Sequence, residues 1–137
     1  MSKRLEIPGE NEFEGKGVFY CAICDGPLFK DKIVAVIGGG NSGCDSALYL
    51  SKIAKKVYRF EALDKLTADS TTQEKIFTSP KIEVFTSVKF KAIKGQEKVS
   101  KIIVEIAAKE PGREFLVDAV FIQIGYVPVS DFCEKVV

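Results

Sequence analysis

Two kinds of apolar pattern divide the chain. Residues 32–37 and 119–124 form nearly unbroken apolar runs, which are typical of parallel strands covered on both faces. Shorter runs at 57–61 and 82–85 predict two further strands. Beyond residue 87 apolar and polar residues alternate instead, as in strands with one solvated face. This alternation predicts an antiparallel three-stranded meander at 88–93, 99–106 and, less regularly, 113–117, with short turns at 94–96 and 110–113.

A helix is predicted directly after the first long apolar run. The glycines at 38–40 break the strand, and Asn41 and Ser42 supply capping groups for a helix N-terminus. At about 100° per residue, one broad face of this helix collects mostly small residues: Gly43, Cys44, Ala47, Leu48, Leu50, Ser51 and Ala54. Small side chains would let the helix lie close to the sheet. A second, short helix is predicted from Asp69 and Ser70 to Phe77.

Together these elements predict an α/β fold of the Rossmann type, with three layers. A parallel sheet would carry helices on one face and the antiparallel three-stranded meander on the other. Residues 1–31, which are polar and rich in turn-forming Pro and Gly, are expected to be a connector that carries a cysteine pair. Residues 32–137 would form the nucleotide-binding domain, and 137 residues suffice for one compact core.

Composition and charge narrow the function classes. The chain has 20 basic and 19 acidic residues, and this balance gives no electrostatic reason to expect nucleic acid or an anionic membrane as partner. No apolar run approaches the roughly 20 residues that span a bilayer, and the N-terminus lacks a signal core, so we expect a cytoplasmic protein. The absence of histidine excludes histidine triads and histidine metal sites, and no metal site is predicted.

The glycines after the first strand match a dinucleotide-binding turn. Gly38, Gly40 and Gly43 have the Gly-x-Gly-x-x-Gly spacing, which permits a tight turn, close approach of a pyrophosphate, and close packing of helix on strand. Free amides at the helix N-terminus would then meet the phosphate charge. The alternative is a glycine-rich turn without a ligand. Its position between a strand and a helix, with an acid at a later strand end, favours nucleotide binding.

That acid is Glu61, and it bears on the choice of cofactor. A carboxylate at the end of the second strand can accept hydrogen bonds from both ribose hydroxyls of NAD, and its charge would repel the 2′-phosphate of NADP. Arg59 lies two residues earlier and so on the same strand face, and it is the main reason not to exclude NADPH. The competing interpretation of Glu61 is a solvated acid at a strand end.

The second candidate chemistry is a cysteine pair before the first long strand. Cys21 and Cys24 have Cys-x-x-Cys spacing, which allows cycling between dithiol and disulfide, and the adjacent Asp25 could exchange protons with the leaving thiolate. A metal site would need further ligands, and Cys44 and Cys133 are isolated. An inert pair remains a third alternative. Cys44 itself is expected to be a small buried hydrophobic residue.

Taken together, these motifs resemble the pyridine-nucleotide domain of the low-molecular-weight thioredoxin reductase family. The resemblance covers nearly the whole chain, and its most specific part is Cys-Ala-x-Cys-Asp-Gly followed closely by the glycine turn. The matching segments are 15–18, 21–26, 34–42, 47–50 and 121–128.

The resemblance implies electron flow from a nicotinamide to FAD, then to the Cys21–Cys24 disulfide, then to a disulfide of a partner protein. By position, Cys24 would face the flavin, Cys21 would attack the partner, and Asp25 would donate a proton. The pyrophosphate would be held by Gly38, Gly40, Asn41, Ser42 and Gly43, and Gly125 would line the nicotinamide end.

The chain departs from the family pattern in two respects. NADPH-dependent members have His-Arg-Arg where this chain has Glu61-Ala62-Leu63, and an arginine where it has Thr67. The 2′-phosphate clamp is therefore missing, so NADH is expected in preference to NADPH, as in the flavoprotein subunit of alkyl hydroperoxide reductase. In addition, no FAD-binding sequence flanks the domain, so the isolated chain is expected to bind nucleotide without reductase turnover, with FAD present only in the full-length protein.

The resemblance also implies the partners. They are the FAD domain of the same enzyme, a thioredoxin-like or peroxidase-type protein with a disulfide, and a second copy of the chain if the full enzyme is a homodimer. Two alternatives stay open. The chain could be a non-enzymatic redox and nucleotide-binding module, or a relative that takes electrons from a protein donor.

Overall fold

The computed structural model describes residues 5–38, 40–107 and 110–124. Its strands are β1 (Val18–Phe19), β2 (Ile33–Gly38), β3 (Lys56–Phe60), β4 (Ile82–Phe85), β5 (Val88–Gly95), β6 (Val99–Ile106), β7 (Glu110–Leu116) and β8 (Ala119–Gln123). Its helices are α1 (Ala22–Asp25), α2 (Gly40–Ser51) and α3 (Ser70–Thr78), and a 3₁₀ helix (Gly26–Phe29) follows α1. None of these helices, in the part of the chain described, is long and apolar enough to cross a membrane.

The strands form two sheets. Five strands pair in parallel in the order β1-β8-β2-β3-β4, and β5, β6 and β7 form an antiparallel sheet in chain order. The central strand β2 is buried at five of its six positions, as its unbroken apolar run predicts. The β-branched residues of β2 and its neighbours suit such a buried strand.

Alternation along the parallel strands assigns their two faces to different layers. One face packs under α2 and α3 and buries Val34, Val36, Val57, Ala119 and Phe121. The other face packs against the meander and buries Ala35, Ile37, Phe60, Val120 and Ile122. The predicted α/β fold, with helices on one face of a parallel sheet and the meander on the other, is therefore confirmed.

Residues 5–20 are more than the connector that their composition predicts. Phe13 is buried in the core between the sheets, and the backbone N–H of Ile93 in β5 donates to the carbonyl of Pro8. Glu10 is also buried and accepts hydrogen bonds from the Tyr20 hydroxyl (2.6 Å) and the Leu5 amide (3.1 Å). The pattern gave no sign of this packing because single side chains anchor a run of turns, which has no periodicity.

Two local predictions also need correction. Residues 110–113 are predicted as a turn, but β7 already begins at Glu110, because the strand accommodates Pro111 and Gly112 beside a register shift in the β6–β7 pairing. A Gly-Pro pair is typical of a turn, but Gly26 and Pro27 begin a 3₁₀ helix. Proline near the first position fits the helical φ and lacks only an N–H that would be unpaired there.

Candidate functional site

The candidate chemical groups gather at one edge of the parallel sheet. Because β1, β2, β3 and β8 run parallel, their carboxyl ends meet at the same edge. The cysteine pair follows β1, the glycine turn follows β2, and Glu61 follows β3. Segments far apart in the sequence therefore contribute to one side of the molecule.

Each of the three glycines has a physical reason for its place. A Cβ on Gly38 would overlap the carbonyl of Gln123 on the neighbouring strand β8. Gly40 has φ +65°, a left-handed conformation that side chains disfavour. Among the described residues, a Cβ there would find only the Thr67 hydroxyl within contact range, at 3.8 Å, so the space beside it is open. A Cβ on Gly43 would lie 2.9 Å from Nη2 of Arg59. The turn thus leads into α2 with open space beside Gly40 and tight packing at Gly38 and Gly43.

Asn41 and Ser42 lie at the exposed start of α2. The side-chain oxygen of Asn41 accepts a hydrogen bond from the backbone N–H of Asp69 (3.2 Å), which connects this turn to the start of α3. Asp69 caps α3, as predicted, by accepting from the amide of Thr72 (2.8 Å), and that hydrogen bond lowers the pKa of Asp69.

Glu61 and Arg59 form a buried ion pair beneath the glycine turn. Both side chains lie on the helix side of β3, as alternation predicts, and the relative exposure is 3% for Glu61 and 0% for Arg59. Arg59 Nη2 donates to Glu61 Oε1 (3.2 Å) and Nη1 donates to the carbonyl of Phe60 (2.7 Å). The second oxygen, Oε2, accepts from the backbone N–H of Leu63 (3.2 Å). The alternative interpretation of Glu61 as a solvated acid is therefore wrong.

Cys44 lies in the same layer, on the face of α2 that packs against the sheet. Its side chain is fully buried, which confirms the expectation of a small buried residue. Burial raises the pKa of the Cys44 thiol, although the neighbouring Arg59 guanidinium acts in the opposite direction. A neutral thiol beside the guanidinium is therefore the form that this packing favours.

Cys21 and Cys24 are joined in a disulfide, with their Cα atoms 5.3 Å apart. Cys21 caps α1, and its sulfur accepts a hydrogen bond from the backbone N–H of Cys24 (3.2 Å). Cys21 is half-buried, whereas Cys24 and the intervening Ile23 are exposed. The Gln123 side chain donates to the Tyr20 carbonyl (2.8 Å) and so holds the segment before the disulfide against the end of β8.

A cleft of about 470 Å³ separates the disulfide from the nucleotide helix. Cys21 lies on one side of it and Ser42 on the other, so both candidate chemistries border the same space. Its α2 wall consists of Ser42, Asp45, Ser46 and Tyr49. These residues recur at i, i+3, i+4 and i+7, so a polar helical stripe in the sequence could have revealed this wall.

A larger groove, of about 950 Å³, lies at the opposite edge of the sheet. It is lined by Ile33 and Asp118, at the amino ends of β2 and β8, and by the β5–β6 turn. None of the predicted site residues in the described ranges borders it. Chemistry therefore favours the smaller cleft as the candidate site.

Comparison with known proteins agrees with this geometry. Residues 1–136 match the model of the pyridine nucleotide-disulphide oxidoreductase family. The chain belongs to this family. The family name joins a pyridine nucleotide to a disulphide, and this oxidoreductase domain has a candidate site for each at one sheet edge.

Individual relatives give a more specific comparison than the family model. It is 41% identical to thioredoxin reductase from Treponema pallidum over 93% of the chain and 42% of the relative. It is also 41% identical to an alkyl hydroperoxide reductase component from Staphylococcus epidermidis over 98% of the chain and 27% of the relative. The structure superimposes on Lactococcus lactis thioredoxin reductase with a TM-score of 0.89 and 34% identity, covering 95% of this chain and 45% of that one. The chain thus spans less than half the length of these relatives.

Most of the predicted site residues come together at this edge. The structure brings Gly38, Gly40, Asn41, Ser42 and Gly43 together at the start of α2, with Glu61 at the end of the neighbouring strand. Cys21 lies across the cleft, and Cys24 and Asp25 follow it in α1. Gly125, predicted at the nicotinamide end, lies outside the described residues. The sequence did not indicate the burial of Arg59, because a charged residue is expected in solvent unless it is paired.

Proposed function

We propose that this chain is the NADH-binding and dithiol/disulfide domain of a thioredoxin-reductase-like flavoprotein. The observation that carries the proposal is the shared cleft, which is bordered by Cys21 of the disulfide and by one face of α2, the helix that follows the glycine turn. Family membership supports the pairing of the two chemistries.

The residues around the glycine turn fit a dinucleotide. The open side of Gly40 leaves room for a pyrophosphate, and the backbone amides at the start of α2 carry the partial positive charge that phosphates favour. In this assignment Gly38 and Gly43 shape the turn, while Asn41 and Ser42 offer exposed polar groups. Bound NADH supplies a hydride, and in the full enzyme the family resemblance implies an FAD between NADH and the disulfide.

Glu61 is the residue that we assign to ribose recognition. A carboxylate has about four acceptor sites, and among the described residues Arg59 and Leu63 occupy two of those of Glu61, which leaves two for a ribose diol. Arg59 is fully buried and already committed to two acceptors, so it is not available for a 2′-phosphate. The structure therefore weakens the main reason for retaining NADPH and supports NADH as the preferred nucleotide.

The disulfide is the group that we assign to thiol exchange. When it accepts two electrons and two protons it becomes a dithiol, and the Cys21 thiolate then attacks a partner disulfide to form a mixed disulfide. Attack by Cys24 on this intermediate releases the reduced partner and restores the Cys21–Cys24 bond. Asp25, whose backbone N–H donates to the Cys21 carbonyl, is the proposed proton donor. The partner chemistry is that of a thioredoxin-like or peroxidase-type protein with an accessible disulfide.

Calorimetry with NADH and NADPH tests the proposal. We expect NADH to bind at least tenfold more tightly than NADPH, because hydrogen bonds to a charged group contribute roughly 1.5–3 kcal/mol. The Glu61→Gln variant should lose most of that preference. Glu83→Gln is the matched control, because Glu83 is an exposed acid on the adjacent strand. Equal binding of the two nucleotides by the unaltered chain, or no binding of either, contradicts the proposal.

A non-enzymatic redox module is the second candidate. The exposure of Cys24, and of Ile23 at 73%, favours it, since a partner could reach the disulfide directly. This alternative predicts that the reduced chain transfers its electrons to a small disulfide such as oxidised glutathione at the same rate with and without NADH, and that it binds neither nucleotide. Nucleotide binding with the expected preference would exclude it.

A further inference from the structure

We infer that Arg59 is a positioning residue for nucleotide selection: one of its donors anchors it on the Phe60 carbonyl and another holds the Glu61 carboxylate in place under the glycine turn. This inference rests on the proposed function of Glu61 in ribose recognition and extends it to a residue that would not itself touch the nucleotide. A guanidinium suits this role because its donors form a rigid planar fork.

The position of Arg59 is unusual for a charged side chain. It has no exposed surface, and its guanidinium lies between the base of α2 and the end of β3. One donor, Nη1, is anchored on the backbone carbonyl of Phe60 at 2.7 Å, which fixes the guanidinium relative to its own strand. The other, Nη2, donates to Glu61 Oε1 at 3.2 Å. Arg59 therefore holds the Glu61 carboxylate at a fixed position relative to the backbone of β3.

The same guanidinium also contacts the nucleotide turn from below. A Cβ on Gly43 would lie 2.9 Å from Nη2 and 3.1 Å from Cζ, so the third glycine of the motif leaves room for this side chain. One cation thereby lies against two proposed binding elements, since it packs under the turn for the pyrophosphate and donates to the acid for the ribose. Precise relative placement of such groups is what allows a site to discriminate between ligands.

Charge supplies a second reason for the pair. A buried carboxylate without a partner is strongly disfavoured, and the described surroundings provide Glu61 with one cation, Arg59. Without it, the Glu61 carboxylate would have to turn towards solvent. That response removes the fixed negative charge that would accept from the ribose diol and repel a 2′-phosphate.

Strand β3 offers a built-in contrast. At its other end Lys56 pairs with Glu83 at 3.0 Å, but the two side chains are 36% and 46% exposed. Exposed ion pairs of this kind contribute little to the free energy of unfolding, because water already solvates both charges. Removing Lys56 therefore deletes a cation from the same strand without disturbing a buried acid.

A double-mutant cycle with nucleotide readouts tests the inference. The dissociation constants of NADH and NADPH are measured by calorimetry for the unaltered chain, R59M, E61Q and R59M/E61Q, with K56M as control and with thermal unfolding of each. We expect R59M to weaken NADH binding about tenfold, the effect of losing a hydrogen bond to a charged group, and NADPH binding much less. The effects of R59M and E61Q on the NADH/NADPH ratio should not add, and K56M should leave the ratio unchanged.

The ratio separates positioning from support of the fold. If R59M lowers stability but weakens both nucleotides equally, or changes neither, Arg59 is a structural residue only and the inference is wrong. R59K covers the case in which R59M does not fold, because lysine keeps the charge but lacks the fork. A reduced ratio in R59K supports the inference, and an unaltered ratio overturns it. Absence of NADH preference in the unaltered chain would instead contradict the proposed function.

Discussion

The end of β3 and the segment after β1 lie at the same edge of one sheet, but their candidate chemical groups are held in opposite ways. Glu61 is buried, with hydrogen bonds on both carboxylate oxygens and a cation behind it. The Cys21–Cys24 disulfide lies on a single helical turn, with Cys24 exposed. The first arrangement restricts motion, and the second leaves Cys24 exposed.

This difference matches what each proposed ligand requires. Discrimination between two nucleotides that differ by one phosphate needs a charge at a fixed position, because a mobile side chain could move away from the 2′ position. Exchange with a protein disulfide needs in-line access to a sulfur atom by a bulky partner. The two regions should therefore respond independently to substitution, and the glycine turn between them should be the most sensitive part.

The largest effect is expected at Gly38. Alanine there would drive a Cβ into the Gln123 carbonyl between two central strands, so we expect a loss of roughly 3 kcal/mol in the free energy of unfolding, at the upper end of overpacking costs. Gly40→Ala is the matched control, since its surroundings are open and only its left-handed φ is strained, at a cost of about 1–2 kcal/mol. Urea unfolding measures both. Equal losses of stability in the two variants would show that the close approach of Gly38 to the Gln123 carbonyl is not what makes the Gly38 substitution costly.

The same contrast shows how far the sequence alone carries the prediction. Apolar periodicity predicts the parallel strands, α2 and the meander, because each element buries one or both of its faces and the spacing of its apolar residues shows this. The glycine turn and the cysteine pair follow from spacing, since a tight turn and a three-residue disulfide both need local geometry only. Alternation also placed Arg59 and Glu61 on one face of β3.

What the sequence did not indicate depends on contacts between distant segments. Whether the shared face of Arg59 and Glu61 meets solvent or α2 is decided by tertiary packing, and a pair of charges at a strand end is more often exposed. The burial of Phe13 and Glu10 has the same origin, since turns in residues 5–17 show no period to read. The cleft between Cys21 and Ser42 requires the register of β1 on β8, which no local pattern specifies.

A smaller effect is expected when the disulfide is removed. Replacing Cys21 and Cys24 together by serine opens a loop of a few residues, and the chain-entropy model gives a stability loss of at most roughly 2 kcal/mol for so short a loop. The NADH dissociation constant should stay within about twofold, because neither proposed ribose nor pyrophosphate contact is touched. Urea unfolding under oxidising conditions and calorimetry measure the two quantities. A tenfold change in NADH affinity would show that the two regions are coupled across the cleft.

The smallest effect concerns Cys44, the buried counterpart of the exposed disulfide. Burial raises the pKa of its thiol above the ordinary value of 9.0, with Arg59 opposing this and Glu61 and Asp45 adding to it. Because the folded pKa is the higher one, the thiol's contribution to stability is complete below pH 9 and declines as the pH rises through and above that value.

Urea midpoints between pH 8 and pH 10 should therefore fall less steeply for Cys44→Ala than for the unaltered chain. The two proteins differ only at residue 44, so the difference between the slopes reports on Cys44. Identical slopes would mean that the thiol is already solvated in the folded chain, and that the layer beneath the glycine turn is more open than its packing around Arg59 indicates.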